Sequence, residues 1–336
     1  QVPNGNLHAN AHCGGNTDTF PFLSDSTDAT RKMVEHMKMA LDSGINGFQF
    51  LTTVPKESAT AAAQVLEETG QMFYIAPEWC GLGNDVNHAT DKIAQFIRQY
   101  QDNPHIVRAD GVQVHFLYNQ GGWSGKTWNN SSGVVVLKTK LAEMGLQVKL
   151  VPTVSNFVPT LLDRPDLNHR SPPFNDALEP GPLKWLSTTS WDGATSLNGN
   201  ANKRYNMVKN IVDRVVSLER PFLYVPSLRT MYDSSNRTWQ AIHCRGMGVR
   251  TLRRDLRMYL QFGIRQYTFS TWNDINETML LPSTRNVWGC NDIIRYYHEL
   301  NLTGKSPFAE PQFVISYEPE VMLGDMGLMQ CLILPE

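Results

Sequence analysis

Apolar residues recur with a helical period in several stretches, and a glycine followed by a short apolar run comes after most of them. In Ala29–Ser43, residues Met33, Val34, Met37, Ala40 and Leu41 fall on one face, and Gly44 ends the pattern. Ile45–Leu51 then reads as a short strand. Ser58–Thr69 reads as a helix stopped by Gly70, and Met72–Ala76 as the next strand, ended by Pro77-Glu78-Trp79. The alternation continues with helix Ala89–Tyr100, strand Val112–Leu117, helix Val134–Met144 closed by Gly145, and strand Val148–Val151. Residues 156–182, rich in proline and asparagine, read as a loop. Beyond them come strand 185–187, helix 205–218, strand 222–225, helix Arg250–Phe262 before Gly263, strand Gln266–Ser270 and helix Asp292–Leu300.

With a first strand at Leu7–His12, the pattern predicts about eight β/α units. Short buried strands between amphipathic helices require parallel pairing through right-handed crossovers. The expected fold is therefore α/β, a closed (β/α)8 barrel over residues 1–308, with an open doubly wound sheet as the rival. From Pro311 the pattern changes to Gln312–Tyr317 and Met329–Leu334, so residues 309–336 are expected to form a short β segment.

Barrel enzymes carry their chemistry at the carboxyl ends of the strands. The residues expected there are His12 after the first strand, Glu78 and Trp79 after the third, His115 and Tyr118 at the fourth, Trp191 and Asp192 at the sixth, Tyr232 after the seventh, and Trp272, Asn273, Asp274 and Glu277 after the eighth. Carboxylates, amides and aromatic rings gather at one rim. Acids and amides bond sugar hydroxyls, and rings cover the C–H faces of a pyranose. Asp274, Glu277 and Glu78 are the candidate catalytic acids; the others are candidate substrate contacts. Glycosidic cleavage needs one carboxyl group to protonate the leaving oxygen and another to activate water or attack the sugar. Asp274 and Glu277 share a face only where the chain turns helically, and a capping box opening a helix is the alternative for that pair.

Composition removes several function classes. The chain has 336 residues, 41% hydrophobic and 18% charged, with net charge −2. That charge argues against nucleic acid as a partner. No run approaches the length of a membrane span. The five cysteines show no C-x-x-C spacing, and no zinc, calcium or serine-hydrolase motif occurs, so neither metal nor cofactor is expected. Gly121–Thr127 resembles a phosphate loop, but Gln120 stands where the motif needs glycine. Arg245, Arg250, Arg253, Arg254 and Arg257 are expected on a solvated helix face with Asp255. Sequons at Asn129, Asn130, Asn236, Asn276 and Asn301 suggest secretion, and the chain is expected to act as a monomer on a polysaccharide or oligosaccharide.

The run Trp272-Asn-Asp-Ile-Asn-Glu277 followed by Thr278 resembles the Trp-Asn-Asp-x-x-Glu-Ser motif of glycoside hydrolase family 71, the endo-α-1,3-glucanases. Ser43–Phe48 and Ala11-His12 are similar to two further anchors of that family, and Glu78 stands where the family has a catalytic aspartate. The resemblance spans most of residues 7–300. A more distant similarity links the chain to family 99, the endo-α-mannanases and endomannosidases. Family 71 implies a (β/α)8 barrel, endo cleavage of α-1,3-glucan and inversion, with one of Asp274 and Glu277 as general acid and the other, with Glu78, positioning water. The alternatives are a retaining endo-α-mannan hydrolase of the family 99 type and a glycan-binding barrel without turnover.

Overall fold

The structure, a computed structural model, describes residues 28–51, 53–79, 82, 85–117, 131–154, 192–196, 208–209, 211–213, 215–216, 218, 220–228, 232–233, 243–244, 250–269, 272–274, 278–279, 288–317 and 329–334. The expectations at His12, Tyr118, Trp191 and Glu277 lie outside these residues. The chain divides into two compact units, Gln1–Met37 with Asn46–Pro226 and Lys38–Ile45 with Ser227–Glu336.

Helix α1 (Ala29–Asp42) comes first and ends just before Gly44. The first unit then runs β1 (Gly47–Leu51), α2 (Ser58–Thr69), β2 (Tyr74–Trp79), α3 (Val86–Gln99), β3 (Arg108–Ala109), β4 (Val112–Leu117), α4 (Ser131–Glu143), β5 (Lys149–Val154), β6 (Gly193–Ser196) and β7 (Leu223–Tyr224). Its sheet has the order β1-β2-β4-β5-β6-β7, and every one of these pairings is parallel. The strands follow chain order without the reversal that marks a doubly wound sheet. The fold is α/β with a parallel sheet. Strand β3 is a short addition that folds back antiparallel onto β4 through Asp110-Gly111.

Strand alternation sorts the side chains into two layers. Leu117 and Leu150 pack with Ala89, Ile93 and Ile97 of α3 and Val134, Leu137 and Leu141 of α4. Ala76, Val114, Phe116, Val151 and Val225 form a separate cluster on the other face. Helix α3 begins where the Asp85 carboxylate accepts from the Asn87 N–H at 2.8 Å, satisfying a backbone donor that the helix leaves open.

The second unit contains β8 (Ser227–Leu228), β9 (Tyr232–Asp233), β10 (His243–Cys244), α5 (Arg250–Gln261), β11 (Thr268–Phe269), β12 (Asn273–Asp274), β13 (Thr278–Met279), α6 (Trp288–Thr303), β14 (Gln312–Tyr317) and β15 (Met329–Leu334). Strands β8 and β11 are parallel; β9–β10, β12–β13 and β14–β15 are antiparallel pairs.

One expectation changes here. Asp255 is buried on α5 and paired with Arg254 at 3.0 Å, while Arg257 donates to the Tyr297 hydroxyl at 2.7 Å. Of the expected solvated face, Asp255 is thus buried, whereas Arg257 is exposed and Arg253 and Arg254 are half-buried. Asn301 lies within α6 and donates its side-chain N–H to the Ile264 carbonyl at 2.9 Å. That bond joins α6 to the residue after Gly263.

Candidate active site

Glu78 is the predicted acid whose surroundings the structure describes most fully. The expected strand stopped at Ala76, but β2 runs on through Pro77, Glu78 and Trp79. Glu78 is therefore inside the strand, one residue from its carboxyl end, and alternation sends it and Trp79 to opposite faces. Its register partners are Leu51 of β1 and Phe116 of β4. Ala76, two residues earlier, and Phe116, beside it, both belong to the cluster on the face away from α3 and α4. Glu78 is half-buried at the carboxyl edge of that face. Such a carboxylate is shielded on the sheet side and reachable from the rim, which suits a group that must exchange a proton with a substrate oxygen.

Trp79 and His115 take the other side. The Trp79 indole packs on the helix-side cluster and meets Phe96 edge to face at 5.7 Å. Its Nε1–H donates to His115 Nδ1 at 3.1 Å. His115 is fully buried, and its other nitrogen bonds Gln113 Oε1 at 3.1 Å. Burial pushes the His115 imidazole down to about 3, so it is neutral at ordinary pH. The expectation that His115 contacts substrate is overturned: an enclosed ring with both nitrogens engaged offers nothing to a sugar. Trp79 is half-buried, with its N–H engaged and its ring packed on the helix-side cluster.

Asp192 is at the wrong end of the sheet for the expected role. It precedes β6 instead of following a strand. Its backbone N–H donates to the Leu150 carbonyl near the start of β5, and its carbonyl accepts from Leu223 at the start of β7. Its carboxylate pairs with Lys138 of α4 at 2.7 Å and accepts from the Leu150 N–H at 2.9 Å. These contacts tie α4, β5 and β6 together at the amino edge, opposite Glu78. The strand expected at 185–187 lies outside the described residues, and the observed Gly-Ala-Thr-Ser strand has no apolar run to announce it.

In the second unit, Trp272 is 8% exposed, so its ring is mostly packed rather than open as a platform. Asn273 and Asp274 pair antiparallel with Met279 and Thr278. Asp274 is thus in extended pairing, while Glu277 and its relation to Asp274 lie outside the described residues. Tyr232 lies in β9, after parallel strand β8, and pairs antiparallel with Cys244. Among the described residues no cluster of histidine, cysteine, aspartate and glutamate fits a metal ion. No described helix is long and apolar enough to cross a membrane.

No family model matches the sequence, and neither does any curated protein. Solved structures do match. A GH99 endo-alpha-mannosidase from Bacteroides thetaiotaomicron, in complex with bis-tris-propane, aligns with TM-score 0.57 and 13% identity over 76% of this chain and 74% of its own. A glycoside hydrolase-like protein aligns with TM-score 0.55 and 14% identity over 89% of this chain and 91% of its own. The chain has a glycoside hydrolase-like fold.

Proposed function

We propose that this chain is a glycoside hydrolase that cleaves an α-glycan internally, with Glu78, Asp274 and Glu277 supplying the carboxyl groups. The observation that carries the reading is Glu78, a half-buried carboxylate at the carboxyl edge of a parallel sheet, on the face turned away from the helices. The glycoside hydrolase-like fold supports it. In this reading the parallel strands belong to a closed (β/α)8 barrel, and the Asn273-Asp274 hairpin ends its last strand. One acid protonates the glycosidic oxygen as the bond breaks, and a second activates the water that attacks the anomeric carbon. The substrate named first is α-1,3-glucan, after the Trp272–Thr278 motif, and the enzyme is read as a secreted, inverting monomer. The likeness to an endo-alpha-mannosidase favours a second reading, a retaining endo-α-mannan hydrolase.

Reducing-sugar release from α-1,3-glucan, yeast α-mannan and dextran tests this. Release from one α-glycan should fall about 100-fold or more in Glu78→Gln and in Glu277→Gln. Release from mannan alone would replace the first substrate by the second. Glycan binding without release, equal in wild type and variants, would make the chain a binding protein and overturn the catalytic reading.

A further inference from the structure

The bonds that enclose Trp79 all point one way. An indole N–H only donates, so His115 Nδ1 must be the acceptor and carry no proton. The neutral ring then carries its proton on Nε2 and donates it to Gln113 Oε1. With its oxygen fixed as acceptor, the Gln113 amide nitrogen donates to the carbonyls of Ile97 and Tyr100 at 3.3 and 3.2 Å. Those carbonyls belong to the end of α3, where the helix itself supplies no donor, and the Tyr100 carbonyl also accepts from Arg108 and the Asn103 N–H. The chain of bonds therefore starts at a helix terminus, has one allowed direction throughout, and ends on the residue next to Glu78. Phe96 of α3 closes it from the side, 5.7 Å from the Trp79 ring and 5.2 Å from the His115 ring.

We infer that Gln113, His115 and Trp79 form a positioning relay that sets the carboxyl edge of β2, and with it the direction of the Glu78 carboxylate, from the end of helix α3. The inference rests on the reading of Glu78 as a working acid. None of the three touches substrate; they act through the strand. Neighbouring residues on a strand share one peptide plane, so a tilt of β2 that relaxes Trp79 also swings Glu78. A displacement near 1 Å at a reacting group costs about 100-fold in rate.

The test uses the full chain with Trp79→Phe, His115→Leu, His115→Asn and Glu78→Gln. Phenylalanine keeps much of the Trp79 packing and removes the donor. Leucine at 115 removes the acceptor, whereas the asparagine side-chain oxygen stands close to the Nδ1 position and restores it. Two readouts are taken: the 13C titration of the Glu78 carboxyl group, which needs no substrate, and kcat with KM on α-1,3-glucan and yeast α-mannan. Trp79→Phe and His115→Leu should shift the Glu78 midpoint by about half a unit or more and lower kcat about tenfold at nearly constant KM. His115→Asn restores the bond to Trp79 but not the one to Gln113, so both readouts should fall between wild type and His115→Leu, and melting temperatures should drop most in His115→Leu, which leaves Trp79 and Gln113 without their partner. An unmoved Glu78 midpoint in Trp79→Phe and His115→Leu would overturn the relay and leave packing alone. Wild-type turnover in Glu78→Gln would instead remove the catalytic reading, with the relay still judged by the Glu78 midpoint.

Discussion

Glu78 and Trp79 are chain neighbours on opposite faces: both are half-buried, the carboxylate on the face away from the helices and the indole packed on the helix-side cluster. Whether each meets water or core depends on strand parity, and parity depends on where the strand ends. Proline suggested an end at Ala76, because Pro77 has no N–H to give a ladder. The ladder from β2 to β4 begins at Glu78, past that residue, so the strand continues without loss on that side. His115 shows a second residue-scale consequence. Its folded-state value near 3 lies below the ordinary 6.5, as does that of His36, which burial lowers to about 4. The unfolded chain therefore takes up these protons first. Their contribution to stability is complete above about pH 6.5 and is lost as pH falls toward 4 and then 3. Urea midpoints at pH 7.5 and 5.0 should drop more in wild type than in His115→Asn. Equal drops would mean that His115 does not stay neutral in the fold.

At the scale of elements, helices were the most legible. Ser58–Thr69 forms as its pattern predicts, and Gly44, Gly70, Gly145 and Gly263 sit in left-handed backbone just past helix ends. The C-terminal strands Gln312–Tyr317 and Met329–Leu334 also form over the expected residues. Strand β3 was missed although its signal was present. Asp110-Gly111 is a favoured two-residue hairpin turn, with both residues at positive φ, 52° and 77°. Strand β6 was missed for a different reason. Its sequence is small and polar, and its place depends on Gly193, where an added Cβ would collide with the Leu223 carbonyl of β7. Gly193→Ala should therefore cost about 1–3 kcal/mol, read as a lower urea midpoint. A neutral result would show that β6 and β7 approach less closely than the structure has them.

At the scale of the whole molecule, six parallel strands in chain order account for the first unit, and the described strands of the second include one more parallel pair. In glycoside hydrolases, carboxyl separation determines stereochemistry: about 6.5–9.5 Å leaves room for water and inverts, while about 5–5.5 Å retains. The inverting assignment predicts that the first product seen by proton NMR after hydrolysis of an α-glycan is the β-anomer. Initial α-anomer would move the chain to the retaining mechanism.

The sequence by itself determined the α/β alternation, most helix ends and the terminal β strands. These depend on local period, capping and turn chemistry, all of which act within a few residues. Only the tertiary structure decided that His115 and Trp79 belong to the helix-side core, that Asp192 ties down the amino edge, and that Asp274 enters a hairpin. Those outcomes depend on strand register and on which face a neighbouring helix covers. A shift of one residue reverses the face, and a strand placed a few residues early exchanges one end of the sheet for the other.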